Sequence, residues 1–153
     1  MLRIKRTYEP PARGDGQRIL VERLWPRGMK KEVLAADAWM KEVAPSTELR
    51  QWFDHQVERW ETFRRRYRKE LDANPGAWEP ILDAERRGTV TLLYSAHDVL
   101  HNGAVVLHEY LVERQARRLP GGKRTGHISP RATGAKKSSA KRRAGDSARR
   151  RAR

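Results

Sequence analysis

The sequence predicts an α/β fold: a small, mainly parallel sheet of three or slightly more strands, flanked by about five helices, in a single compact domain with a disordered basic tail. Three observations support this prediction. Three short apolar runs have the composition of buried strands. The long segment between the second and third runs has a helical repeat. The sequence after residue 116 contains almost no apolar residues to bury.

The three strands are expected in the order of the chain. Apolar and polar residues alternate over residues 2–8 (LRIKRTY) closely enough to predict a first strand. Residues 17–25 (QRILVERLW) predict a second, buried on both faces near Ile19 and ended by Pro26 and Gly28. Residues 89–96 (TVTLLYSA) predict the third. A long helical crossover joins the second strand to the third, so these two are expected to be parallel.

Five segments show helical periodicity: residues 30–43, a segment from Pro45, and residues 57–71, 77–87 and 99–116. Ser46 is expected to be the N-cap of the second helix, and Gly88 to end the fourth. The third helix has the clearest apolar stripe: Val57, Trp60, Phe63, Tyr67 and Leu71.

Two further sets of residues are predicted to pack in the core. On the last helix, the packed side is expected to carry Val105, Leu107, Leu111 and Val112. Among the five tryptophans, the core is expected to hold Trp39, Trp60 and Trp78. The sequence does not predict an oligomeric state.

Charge divides the chain into a domain, residues 1–116, and a tail, residues 117–153. The tail holds 14 of the 34 Lys and Arg residues and one of the 19 acids, so it carries most of the net charge of +15. The absence of cysteine excludes disulfides and thiolate metal sites. No apolar run approaches 18 residues, and the N-terminus lacks a secretory signal. A cytoplasmic location is expected, with nucleoid association as an extension of it.

Polar side chains follow the second and third strands, where open parallel sheets bind ligands. The anion-binding candidates are Glu22, Arg23, Arg27, Tyr94, Asp98, His101 and Asn102, with His55 as an accessory. His101 and Asn102 are expected in the first turn of the last helix, where free N–H groups and nearby arginines suit a phosphate or carboxylate. If a reaction occurs, His101 is the candidate general acid/base and Arg27 the electrostatic stabiliser.

A structural interpretation of the same residues stays open. Arg23 would pair with Glu22 or Asp98, Asp98 would cap the last helix, and Trp25 with Pro26 would form only a packed turn.

Other side-chain patterns are weaker. His97, His101 and His108 share a helical spacing, but the rise of about 1.5 Å per residue separates the last two by about 10 Å. No metal site is therefore expected, and no motif for a cofactor is found. Trp52, Phe53 and His55 could stack on a base, although packing against the core is the simpler interpretation. The arginines of residues 64–68 could form a nucleic-acid patch or a solvated helix face.

Three segments resemble motifs of a known family. ILVERLWPRG (19–28), WFDHQVERWETFRRRYRKEL (52–71) and LLYSAHDVLHNGAVVLHEYL (92–111) occur in the order found in the YeaO-like family, domain of unknown function 488. The resemblance covers roughly residues 2–114 and implies a compact α/β domain, but no particular activity or cofactor. It also implies a polar site at the two strand ends, with His101 as its best-matched member.

This chain departs from the family pattern at four places. Glu22 stands where Asp is usual, and Gln56-Val57 where Asp-Pro is usual. Ser95 replaces Ala, and His97 replaces a Lys, which weakens the interpretation as an anion site unless a protonated His97 substitutes for it.

The tail predicts non-specific binding to DNA or RNA, since its clustered cations would release counterions from phosphates. The alternatives are a solubility tail or contact with an anionic membrane surface, although no apolar face is present for insertion and no membrane partner is expected.

Two functions follow from the sequence. The first is an anion-binding domain tethered to nucleic acid by the tail. The second is a non-enzymatic nucleic-acid-associated protein in which the strand-end cluster is structural.

Overall fold

A computed structural model describes residues 1–119 of the chain. Four strands form one sheet: β1 (Leu2–Arg6), β2 (Gln17–Leu20), β3 (Ala38–Trp39) and β4 (Val90–Tyr94). Five α-helices accompany it: α1 (Lys31–Leu34), α2 (Thr47–Phe53), α3 (Trp60–Ala73), α4 (Pro75–Arg87) and α5 (Gly103–Arg118). The strand order is β1-β4-β2-β3, and every neighbouring pair is parallel. The predicted α/β class and the parallel pairing of β2 with β4 are therefore confirmed.

Parallel pairing brings all four carboxyl ends of the strands to one edge of the sheet. Leu20 of β2 lies opposite Leu93 of β4, and β1 is in register with β4 from Leu2↔Val90 to Arg6↔Tyr94. The loops that follow β2 and β4 therefore leave the sheet side by side.

The prediction of one helix over residues 30–43 is wrong. The helix ends after one turn, because Ala35 adopts a left-handed conformation with φ 47°. The N–H of Asp37 then donates to Arg18 O (2.7 Å), and the N–H of Met40 donates to Leu20 O (2.9 Å). These bonds to β2 outweigh the local helical pattern and create β3, a fourth strand that the sequence did not reveal.

The main core lies between one face of the sheet and helices α3, α4 and α5. On α3 the buried members of the predicted stripe are Phe63, Tyr67 and Leu71, whereas Val57 precedes the helix and is 52% exposed. Trp78 is buried, and its indole N–H donates to Leu71 O (2.8 Å). Trp39 was wrongly assigned to the core: it ends the edge strand and is 37% exposed.

Helix α5 begins four residues later than predicted and turns a different side to the core. Its buried side consists of Ala104, Val106, Leu107, Tyr110 and Leu111. Val105 is only half-buried and Val112 is exposed, so these two were misassigned, because α5 packs against β1 and β4 as well as α3 and α4. Arg118 ends the helix and donates to Glu79 (3.2 Å). The rest of the predicted tail lies outside the described residues.

A smaller apolar cluster lies on the opposite face of the sheet and consists of Leu20, Leu34 and Leu93. Beside it, the buried carboxylate of Asp15 accepts hydrogen bonds from Lys5 Nζ (3.1 Å) and from Arg18. Both faces are thus occupied by structural side chains. Across the described helices, none combines the length and apolar character that a membrane crossing requires.

Candidate functional site

A cavity of about 310 Å³ lies at the carboxyl ends of β2 and β4. It is surrounded by the loop after β2, the last turn of α2, the start of the β4–α5 loop and the first residues of α5. Its apolar wall includes Val21, Phe53, Phe63, Ala96 and Ala104; its charged and polar side chains are Glu22, Arg23, Arg27, Arg50, His55, Ser95 and Asn102. Its volume falls at the lower end of the range typical of small-molecule sites.

The loop after β2 presents Arg27 at the corner of a turn. Trp25 anchors the loop, since its indole N–H donates to Met29 O (2.6 Å) and its ring packs edge-on against Trp39 at 5.3 Å. The N–H of Met29 donates to Pro26 O (3.2 Å), and Gly28 has φ 73°, as a type II turn requires at its third position. Arg27 is exposed and has no hydrogen-bond partner among residues 1–119.

Arg23 lies at the cavity but joins two parts of the wall. Its Nε donates to Pro45 O (3.0 Å), its second terminal nitrogen donates to Ala44 O (3.2 Å), and Glu42 lies 3.9 Å away. The predicted pairing with Glu22 or Asp98 is absent from these contacts. Arg23 fixes the segment before α2 against the loop after β2.

Glu22 is also held by the protein. One carboxylate oxygen accepts the backbone N–H of Ser95 (2.8 Å), and the other accepts the Ser95 hydroxyl (2.5 Å). The two loops that leave β2 and β4 are therefore joined by a pair of hydrogen bonds. Sequence reasoning noted Ser95 as unusual for the family but did not place it opposite Glu22.

The β4–α5 loop places Asn102 and Asp98 differently from the prediction. Asn102 is the N-cap of α5, since its side-chain oxygen accepts the N–H of Val105 (3.1 Å). Asp98 accepts the N–H groups of Leu100 (2.9 Å) and His101 (3.0 Å) and so organises the loop without capping the helix. Hydrogen bonds from the Leu100 N–H and from His101 lower the pKa of the Asp98 carboxyl.

His101 precedes α5 and does not line the cavity. Its Nδ1 lies 2.8 Å from Asp98, and its ring contacts Trp60 edge-on at 5.1 Å. The prediction that His101 and Asn102 lie in the first helical turn is therefore wrong, because the Asp98-centred loop occupies those residues. Catalysis by His101 stays a prediction.

Tyr94 lies at the strand end but faces the core. It is 5% exposed, and burial raises the pKa of its phenol. Of the predicted set, the cavity thus brings together Glu22, Arg23, Arg27, His55 and Asn102, and leaves out Tyr94, Asp98 and His101.

Sequence reasoning missed Arg50 and the place of Phe63 at the cavity, although it singled out Phe53 as a residue that could stack on a base. Arg50 lies on α2 and is exposed, with no side-chain partner in the described part of the chain. Phe53 and Phe63 stack with their ring centres 4.3 Å apart. No local signal in the sequence places the end of α2 against the loop after β2, because that contact depends on the Arg23 bonds to residues 44 and 45.

Two other predicted patterns have simple structural explanations. Arg64 donates to Glu109 (2.6 Å) and Arg68 to Glu113, so these arginines join α3 to α5. Arg66 lies over the Trp52 ring at 4.4 Å. Within residues 1–119, no three His, Cys, Asp or Glu side chains are arranged to hold a metal ion.

The fold and the cavity define a class: a small parallel α/β domain with its cleft at the carboxyl edge of the sheet. Comparison with known proteins gives the family. The family model described as "Inactive DUF488-N3 subclade" matches residues 1–131. This chain belongs to the DUF488 family, as its three motifs predict.

Named relatives are similar over most of their length. "Uncharacterized protein YeaO" of Escherichia coli (strain K12) is 46% identical over 110 residues, which cover 72% of this chain and 96% of the relative. The Mycobacterium bovis protein Mb3100c is 39% identical over 110 residues, covering 72% of this chain and 92% of the relative. No solved structure matches the chain significantly.

Proposed function

We propose that the chain is a binding protein whose cavity takes a small anion with a flat ring, of the nucleotide type, and that its basic tail tethers it to nucleic acid. The observation that carries the first part is the presence of Arg27 and Arg50 at one cavity, both without partners among residues 1–119. A guanidinium group offers paired donors that fit phosphate and carboxylate oxygens.

The balance of charge around the cavity favours an anion. Among residues 1–119, three arginines line it, against one carboxylate, Glu22, whose two oxygens already accept hydrogen bonds from Ser95. Gly103 and Ala104, in the first turn of α5, also line the cavity. Their backbone N–H groups lie at the positive end of this 16-residue helix. The buried rings of Phe53 and Phe63 stack on each other and form an apolar inner wall, which suits the less polar part of a ligand.

The hydrogen bonds of the candidate reactive groups favour binding over catalysis. The Ser95 hydroxyl donates to Glu22, and the same carboxylate accepts the backbone N–H of Ser95. Both side chains are therefore already bonded, and they join the loops after β2 and β4. His101 bonds to Asp98 outside the cavity. The description of the matched family model as inactive agrees with a binding role.

Thermal unfolding of the full chain tests the cavity. At 100 times its dissociation constant, a nucleoside 5′-monophosphate is expected to add about 2.7 kcal/mol to the free energy of unfolding, a shift of several degrees. The double variant Arg27→Ala/Arg50→Ala is expected to lose the shift. Arg87→Ala, an exposed arginine on α4, is the matched control and should retain it. An equal shift in the double variant contradicts the proposal.

The tether rests on composition. Beyond α5, which takes in Arg117 and Arg118, residues 120–153 hold 12 Lys and Arg and a single acid, and such a segment binds phosphates through counterion release without reading sequence. A cytoplasmic location beside the nucleoid follows from this part of the proposal.

Salt dependence of DNA binding tests the tether. The full chain is expected to bind a random duplex with an affinity that falls steeply between 50 and 200 mM salt, roughly a thousandfold for six phosphate contacts. A variant that ends at Leu119 should lose both the binding and the salt slope. If the shortened chain binds DNA as tightly as the full one, the domain is the binding element and the tether is wrong.

The alternative function, in which the strand-end cluster is only structural, draws support from a different observation. Within the described residues, Arg23, Glu22 and Asp98 form hydrogen bonds with other groups of the protein. Under this alternative the monophosphates produce no shift while the tail still binds DNA, so the two experiments above separate the candidates.

A further inference from the structure

The end of α2 carries an unusual backbone conformation. Asp54 has φ 45° and His55 has φ 53°, so two successive residues with side chains lie in the left-handed region. Side chains other than glycine rarely adopt it, because Cβ approaches the following carbonyl oxygen. Within residues 1–119, Ala35 (φ 47°) is the one other non-glycine residue with positive φ.

Backbone hydrogen bonds hold this turn, through the N–H of Asp54 to Arg50 O (3.1 Å) and the N–H of Gln56 to Phe53 O (2.9 Å). Neither the Asp54 carboxylate nor the His55 imidazole bonds to another residue that the structure describes, so no such bond offsets the strain. Glycine would adopt the same turn at lower cost. Backbone strain of this kind is concentrated at binding sites.

The strained turn brings His55 to the cavity. The exposed imidazole lines the cavity, with its ring centre 5.9 Å from that of Phe53 and the two planes tilted by 56°. Arg50, one turn earlier on α2, lines the same cavity. One short segment therefore supplies both a cation and an aromatic ring to the site.

We infer that the Asp54–His55 turn is a strained ligand-contact element in which His55 packs against the flat ring of the bound nucleotide, while Arg27 and Arg50 bind its phosphate. This inference rests on the proposed function and adds the residue that distinguishes a nucleotide from a bare phosphate. A histidine ring stacks on any base, so His55 selects for the presence of a ring and tolerates different bases.

The test compares binding with stability in the full chain. The probes are inorganic phosphate and whichever nucleoside 5′-monophosphate shifts the unfolding midpoint of the unchanged chain furthest; dissociation constants come from calorimetry. His55→Ala is expected to weaken monophosphate binding between roughly fivefold and a hundredfold, the range for loss of one stacking contact, and to leave phosphate binding unchanged.

His55→Gly is expected to weaken monophosphate binding in the same way and to raise the unfolding midpoint by about 2–4 °C, because it relieves the strain. Ala35→Gly is the matched control. It relieves the same strain at the end of α1 and should raise the midpoint without changing binding.

Each other outcome has a definite meaning. Unchanged monophosphate affinity in His55→Ala, with the response lost in Arg27→Ala/Arg50→Ala, overturns the inference and leaves the proposed function standing. A midpoint that does not rise in His55→Gly, when it rises in Ala35→Gly, overturns the strained-turn argument. No response of the unchanged chain to any probe overturns both the proposed function and this inference.

Discussion

Gly16→Ala is expected to destabilise the domain by about 4 kcal/mol, the sum of a backbone strain and an overpacking cost. Gly16 has φ 63°, and a Cβ at this position would lie 2.0 Å from Thr89 O and 2.6 Å from Thr89 C. That oxygen accepts the N–H of Gln17 (2.9 Å) at the start of β2, so it cannot move away without opening the pairing of β2 with β4. Urea unfolding followed by tryptophan fluorescence measures the loss.

Gly28→Ala is the matched control for this variant. Gly28 has a similar φ of 73°, but a Cβ added there would extend into open space, with no neighbouring group within 4 Å. Only the backbone cost of about 1 kcal/mol applies. Equal destabilisation of the two variants would show that the close approach to Thr89 is not what makes Gly16 necessary.

Asp15→Ala is expected to cost about 3–5 kcal/mol, because it leaves the buried Arg18 and the half-buried Lys5 without their counter-charge. Asp15 is 5% exposed and Arg18 is 4% exposed. The carboxylate accepts hydrogen bonds from Arg18, from Lys5 Nζ (3.1 Å) and from the N–H of Ala12 (3.0 Å). Chemical unfolding measures this loss as well.

Two controls accompany Asp15→Ala. Asp83→Ala breaks the exposed pair with Arg86 (3.5 Å) and should cost less than about 1 kcal/mol. Asp15→Ala/Arg18→Met removes both members of the buried pair and should recover part of the loss. If Asp15→Ala costs no more than Asp83→Ala, the buried network does not stabilise the fold.

The same carboxylate gives stability a dependence on acid pH. Burial raises the pKa of Asp15, but hydrogen bonds from the Ala12 N–H, Lys5 and Arg18 outweigh it and hold the pKa below its ordinary value of 3.8. The contribution is therefore fully present above pH 3.8 and is lost as pH falls through the lowered native pKa. Asp15→Ala should remove this part of the acid-induced loss of stability.

The sequence predicts the fold well where a segment's own pattern agrees with its tertiary contacts. The apolar run of β4 and the Phe63–Tyr67–Leu71 stripe of α3 are examples. It fails at residues 30–43, whose helical pattern is overridden by hydrogen bonds to Arg18 and Leu20 of β2. Those bonds join residues about twenty positions apart, so no local pattern reveals them.

The site could be predicted as a region but not as a set of contacts. The rule for parallel sheets correctly placed the loops after β2 and β4 together. It could not reveal that Arg23 binds carbonyl oxygens, that Glu22 binds Ser95, or that α2 brings Arg50 to the same cavity. These facts depend on where the segment before α2 docks, which only the folded chain determines.

A chemical-shift titration by NMR tests the central proposal, that the cavity beyond β2 and β4 binds a nucleotide-like anion. In a titration of the full chain with a nucleoside 5′-monophosphate, the indole N–H of Trp25 and the backbone N–H of Gly103 are expected to shift, because both residues line the cavity. The indole N–H of Trp78, bonded to Leu71 O in the core, should stay in place. Saturating shifts confined to residues outside the cavity, or no shifts at any concentration, would contradict the account.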